Sequence, residues 1–165
     1  MEVQMNVNGI NVGKLFTTID LIKNNPEIAK FKFRVHNTWL GGTHNQAKVG
    51  SFYGAMEEDT SRSLTASDMD EPPVLLGKNQ GPNPVEYLLV ALSGCLTTSM
   101  IAQASAKGIE VKGIESWYEG DLDLRGFLGV SEEVSKGYQK INVVFRIDGD
   151  LTSGQKEELI NMAQR

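Results

Sequence analysis

The chain has one cysteine and two histidines among its 165 residues. A lone cysteine excludes an internal disulfide and suits a reducing compartment. No CxxC or HxxxH spacing is present, so the usual zinc ligand sets are missing, and neither a metal nor a cofactor is expected. Basic clusters are missing too, and the net charge is −5. Nucleic acid is therefore a poor partner. The opening residues MEVQMNVNGINVGKLF lack the basic-then-apolar order of a secretory signal, and a cytoplasmic location is expected. No internal repeat or low-complexity tract marks a second domain. The length suits one domain over residues 1–165 with a real core.

What the chain does have is a long uncharged stretch. Gly81 to Val111 reads GPNPVEYLLVALSGCLTTSMIAQASAKGIEV, and no side chain from Tyr87 to Ala102 carries a charge. Asn83 is a good N-cap and Pro84 suits the first helical position. Glu86 sits in the first turn, where a carboxylate complements the helix dipole. Gly108, after Lys107, ends the helix. A helix apolar on nearly every side is expected to be buried on every side. A membrane span needs roughly 20 apolar residues, and this run is shorter and rich in Ser and Thr, so no membrane is expected. Val85, Leu88, Leu92, Cys95, Ser99, Ala102 and Ala106 recur at steps of three and four and form one stripe. Ala91, Ser93, Gly94, Thr97 and Thr98 are small enough to admit another backbone.

Cys95 lies on that stripe. If the protein has covalent chemistry, its thiol is the first candidate. The helix dipole does little for it, because the effect is confined to the first turn. Apolar burial would leave it an inert core residue. A nucleophile at this place needs a cation or hydrogen-bond donor from elsewhere.

The remaining segments alternate in type. Thr17 to Asn24 reads as a short helix capped by Thr17 or Thr18, and NNPEIAK adds a turn. Phe31, Phe33, Val35 and Trp39 alternate with Lys32, Arg34, His36 and Thr38, the pattern of a half-buried strand. Trp39 is expected in the core. Leu40-Gly41-Gly42 turns the chain into a second strand, Gln46 to Met56. Glu57 to Asp70 reads as polar loop and Glu71 to Gly77 as extended. Ile109 to Leu124 reads as a strand whose Glu115, Trp117, Glu119, Asp121 and Asp123 face solvent. Gly126 to Lys136 is a loop or short turn. Gln139 to Ile147 is a strand with Ile141, Val143, Phe145 and Ile147 on one face. Thr152 and Gln155 form a capping box for a last helix. Helix, hairpin, long helix, two strands, helix is an α+β order. One sheet covers only one face of the central helix, so a second subunit is the expected cover for the rest.

Gly81-Pro82-Asn83-Pro84-Val85-Glu86-Tyr87-Leu88-Leu89 followed by Ala91-Leu92-Ser93-Gly94-Cys95 resembles the OsmC/Ohr family of thiol-dependent hydroperoxide reductases. Glu71 to Gly77 and Glu119 to Gly126 resemble a broad OsmC-like subgroup. The resemblance covers most of the chain from about Phe31, with residues 1–30 as an N-terminal helical extension. It implies an intertwined homodimer, with antiparallel sheets around long buried central helices. It also implies that Cys95 attacks an organic hydroperoxide and becomes a sulfenic acid, in defence against oxidative stress. Trp39, Leu88 and Leu92 are the apolar walls expected against the organic tail. The family's second cysteine follows a position like Ala163-Gln164-Arg165, and this sequence has none. An external thiol or dithiol is therefore the implied reductant. The arginine that the Ohr branch carries after the Gly-Gly turn is replaced by Thr43-His44-Asn45. His44 is the substitute, with Arg34 and Arg125 as alternative cations and Glu86 as the acidic member. The alternative is a non-catalytic or redox-sensing dimer that binds a small apolar ligand.

Overall fold

A computed structural model describes residues 6–62 and 65–164. Helices and antiparallel strands alternate along the chain, in two compact units. One unit takes in the residues up to Val12 and those from Leu89 onward, and the other runs from Gly13 to Leu88.

The first unit begins with a tight hairpin of β1 (Asn6–Val7) and β2 (Ile10–Asn11). Asn8 sits at its tip with φ 52°, a left-handed conformation that Asn tolerates better than most residues. Its side chain ties the hairpin down. The Asn8 amide nitrogen donates to Ile109 O at 2.9 Å and to Ser105 Oγ at 3.2 Å, and its oxygen accepts from Val111 N at 2.8 Å. Ser105 is fully buried, and its hydroxyl contacts Val7 O and Ile101 O.

The core of this unit lies under the second half of α2 (Pro84–Ala106). Met100 and Ala104 pack with Ile147 of β9 (Tyr138–Asp148) and Leu159 of α4 (Ser153–Ala163). β9 pairs antiparallel with β8 (Gly113–Leu122), Trp117 opposite Val144 and Ile114 opposite Ile147. The expected alternation holds: Glu115, Trp117, Glu119 and Asp121 are exposed, while Ile147 is buried. Asp123 instead caps the single turn α3 (Leu124–Phe127). The Thr152–Gln155 capping box forms as expected.

Within the single chain α2 is buried on one face only. Its buried residues are Leu96, Met100, Ala104 and Ser105. That face is turned by one residue from the stripe that holds Cys95. Leu88 and Val90 stand exposed in the isolated chain, and Val85, Leu89, Leu92 and Ile101 are half-buried. By length and composition this helix is also a candidate membrane span, but fully buried Met100 and Ala104 show that its second half serves as a core helix.

In the second unit α1 (Val12–Asn24), whose first residue closes the other unit, is longer than expected. Thr17 and Thr18 are not caps. Their hydroxyls bond back to Gly13 O and Lys14 O within the helix, a common fate of mid-helix threonine. A 3-10 turn at Pro26–Ala29, capped by Asn25, follows as expected. β3 (Val35–Gly41) and β4 (His44–Val49) form the hairpin around Gly41-Gly42. The strand expected over Gln46 to Met56 breaks at Gly50-Ser51, and β5 (Phe52–Gly54) pairs with β6 (Glu57–Asp59). The polar stretch 57–70 is thus not all loop. It holds β6 and also β7 (Ser67–Met69), which joins the other edge of β4. Residues 71–77 are not extended either: Pro73–Leu75 make a 3-10 turn closed by Leu76 at φ 65°. Gly77 is required here, because a Cβ would lie 1.7 Å from Glu71 O.

This unit buries almost nothing. Among its described residues only Gly54 and Asp70 are buried. Trp39, expected in the core, is 72% exposed, and Phe33 and Val35 are nearly as open. Phe31, Phe33 and Phe52 stack only on one another, with Arg62 over the Phe52 ring.

Candidate functional site

Cys95 lies midway along α2, and its side chain is exposed in the isolated chain. Within the single chain the thiol therefore packs in no core. The helix is straightforward at its start: Asn83 Oδ1 accepts from Val85 N at 3.0 Å, and the Glu86 carboxylate accepts from Asn83 N at 2.8 Å. Glu86 is thereby a capping carboxylate. Helical rotation puts it about 180° from Cys95, nine residues on, whereas Leu88 and Leu92 fall within about 60° of the cysteine. The helix therefore gathers Cys95, Leu88 and Leu92 on one side and turns Glu86 away.

The other polar centre lies wholly within the Gly13–Leu88 unit. The hairpin tip and the segment after the 3-10 turn enclose a cavity of about 350 Å³. Gly41, Gly42, Thr43 and His44 form one wall and Leu76, Gly77, Lys78 and Gln80 another. Both walls hang on Asp70, which is 2% exposed. Thr43 donates its hydroxyl to Asp70 Oδ1 at 2.6 Å, with Glu71 N at 2.9 Å. Lys78 N and Gln80 N donate to Oδ2 at 2.9 and 3.2 Å. The Thr43 hydroxyl foremost, with these backbone donors, holds the Asp70 carboxyl well below the usual carboxylate range, against the opposing effect of burial.

Asp70 therefore carries a prediction. A carboxyl whose folded pKa is depressed stabilises the fold fully above its ordinary value of 3.8 and loses that contribution as the pH falls toward the folded value. Asp70→Asn keeps the size and loses the charge-assisted bonds. Its melting temperature is expected to lie well below that of the parent between pH 5 and 8, the gap narrowing as the pH drops under 4. Thermal melts of both proteins across that range check it. A gap that does not change with pH overturns it.

His44 is the first residue of β4, half-buried at the cavity wall rather than free in a loop. Its Nε2 lies 2.9 Å from Asp68 Oδ1, and Gln46 donates to the same oxygen at 3.2 Å. Both bonds, that of His44 first, hold the Asp68 carboxyl below its usual range. The alternative cations are already engaged. Arg34 grips Glu58 through both guanidinium nitrogens, at 2.5 and 3.2 Å, and Arg125 closes on Asp123. His36 is exposed on β3. Trp39 donates its indole N–H to Gly42 O at 2.9 Å, which fixes the ring beside the turn. Asp68 and Asp70 escape a reading of the sequence, because nothing in a polar stretch of Glu, Asp, Ser and Thr distinguishes an aspartate in a three-residue strand, or one just after it, from aspartates in a loop.

The family model described as OsmC-like protein matches residues 77–165, more than half of the chain. This chain belongs to the OsmC/Ohr family. The matched segment contains all of α2 and Cys95. Solved OsmC-like structures share its fold at low identity. An OsmC-like protein from Mycoplasma pneumoniae aligns with a TM-score of 0.62 at 16% identity, over 81% of this chain and 80% of that one. An organic hydroperoxide resistance protein OsmC from Legionella pneumophila gives 0.56 at 18%, over 80% and 81%. An OsmC-like protein of unknown function from Vibrio cholerae gives 0.57 at 14%, over 81% and 87%. No curated protein matches the sequence significantly.

Proposed function

We propose that this OsmC-like chain is a cytoplasmic thiol peroxidase that reduces organic hydroperoxides through Cys95, in resistance to oxidative stress. The observation that carries the proposal is the exposed sole cysteine on the apolar helix of an OsmC-family chain. The Legionella relative, of the same fold, is described as an organic hydroperoxide resistance protein.

In the reaction His44 takes the thiol proton. The Cys95 thiolate attacks the terminal oxygen of the hydroperoxide, so an S–O bond forms as the O–O bond breaks. The alkoxide leaves and regains the proton from His44 as an alcohol, and Cys95 is left as a sulfenic acid. An external thiol then condenses with it, releasing water and leaving a mixed disulfide. A second thiol equivalent frees Cys95. Leu88, Leu92 and Trp39 are the walls for the organic tail, and their apolar surface favours an alkyl hydroperoxide over hydrogen peroxide. Glu86 acts from a distance, through the helix start it caps.

The working unit in this proposal is an intertwined homodimer of one OsmC-like domain each. The near absence of buried side chains in the Gly13–Leu88 unit supports it, because soluble monomers rarely leave so much apolar surface open.

The test is intact-mass spectrometry of reduced protein after one equivalent of cumene hydroperoxide, with a sulfenic-acid trap present and hydrogen peroxide in parallel. A single trap adduct on Cys95, faster with the organic peroxide, is the expected result. An unmodified Cys95 in both overturns it. A second reading, a sensor or ligand-binding dimer, draws on Arg34 and Arg125 being committed to Glu58 and Asp123, which leaves neither guanidinium for the thiol.

A further inference from the structure

We infer that Asp68 is the positioning residue for His44 in this reaction, an assignment that rests on the peroxidase reading above. A histidine serves a fixed partner best when the hydrogen bond made by one ring nitrogen sets its tautomer and orientation. Asp68 sets both. An ionised carboxylate can only accept, so the proton shared across the 2.9 Å contact sits on His44 Nε2. Nδ1 is then the nitrogen left to accept a proton, and no hydrogen bond from another described residue occupies it.

Asp68 is itself held in place. β7 pairs with β4 so that Asp68 lies opposite Gln46, whose amide donates to the carboxylate oxygen that faces His44. Tyr87 donates its hydroxyl to Asp68 O at 3.2 Å. The histidine side chain is 19% exposed and the aspartate 42%, so the pair is sheltered on the histidine side and wet on the other. This coupling is specific to His44. The second histidine, His36, is exposed, and Glu86 is committed to Asn83.

Two measurements on the full-length protein test the assignment. NMR of the 15N-labelled chain is expected to show an exchange-protected imidazole N–H proton on His44 Nε2, and Asp68→Ala is expected to abolish it. Quench-flow oxidation of Cys95 by cumene hydroperoxide is expected to slow about tenfold in Asp68→Ala at saturating peroxide, with the half-saturating concentration unchanged. In a His44→Gln background the same substitution is expected to change the rate less than twofold, since a residue that acts through His44 has nothing left to position. Asp68→Asn, which preserves side-chain size, stands in if the alanine variant does not fold.

An N–H signal that survives Asp68→Ala overturns the assignment, and so does equal slowing in both backgrounds. A parent protein whose Cys95 does not react overturns the peroxidase reading instead, and the N–H signal then decides the link between Asp68 and His44 on its own.

Discussion

Replacing Cys95 with serine is expected to reduce hydroperoxide consumption to the uncatalysed background while the fold and the oligomeric state stay as they were. The chain has no second thiol, so nothing can stand in for it. A serine hydroxyl is hardly ionised near neutrality and is a weak nucleophile without an activating base. The cost to the fold and to the dimer contact is small because serine differs from cysteine by one side-chain atom, and Cys95 packs no core in the isolated chain. The measurement is loss of cumene hydroperoxide over time with dithiothreitol as reductant, for parent and variant. The parent is expected to turn over many equivalents. A parent that consumes one equivalent and stops is a sensor rather than a catalyst. A Cys95→Ser protein as active as its parent removes Cys95 from the chemistry altogether.

Much of this fold was legible in the sequence, and the reasons are local. The Asn83-Pro84 start, the Gly108 stop and the Thr152–Gln155 box are short-range devices, and all of them form. Period-two alternation found β9 and the solvated face of β8, because a strand covered on one face shows that alternation most clearly. The failures have a different origin. β6 and β7 are three residues each, too short for a period to show. The close approach of Gly77 to Glu71 O arises only in the folded loop, and Asp70, which ties that loop to the hairpin, has a partner 27 residues away. In the candidate site, Cys95 stood out by its setting, and His44 by its place after Gly41-Gly42. The aspartates that hold His44 and the hairpin tip did not stand out, because their partners, His44 and Thr43, are distant in sequence.

Burial leads to the second strong expectation. The apolar pattern of α2 and of β3 predicts cover that the isolated chain does not supply. In solution the protein is expected to sediment as a dimer, and Gly94→Leu is expected to convert it to monomer. Gly94 is a discriminating position. A Cβ built there meets no atom within 4 Å in the single chain, and leucine favours a helix by up to about 1 kcal/mol over glycine. For a monomer, then, Gly94→Leu is neutral or slightly stabilising. For a dimer whose partner packs closely over Ala91, Gly94 and Thr98, the branched side chain meets a backbone, and overpacking of this kind costs about 1–3 kcal/mol at each of two symmetric contacts. A loss of about 2–6 kcal/mol is a factor of roughly 30 to 10⁴ in the dissociation constant. Sedimentation velocity of both proteins over a hundredfold concentration range separates the cases. Freed monomers with the Gly13–Leu88 unit uncovered are also expected to melt at a lower and concentration-independent temperature, where the parent's melting temperature rises with concentration. If Gly94→Leu sediments as its parent does and melts no lower, no partner lies over that face of α2. The exposed apolar surface of the helix then has to be covered by something other than a second copy of this chain.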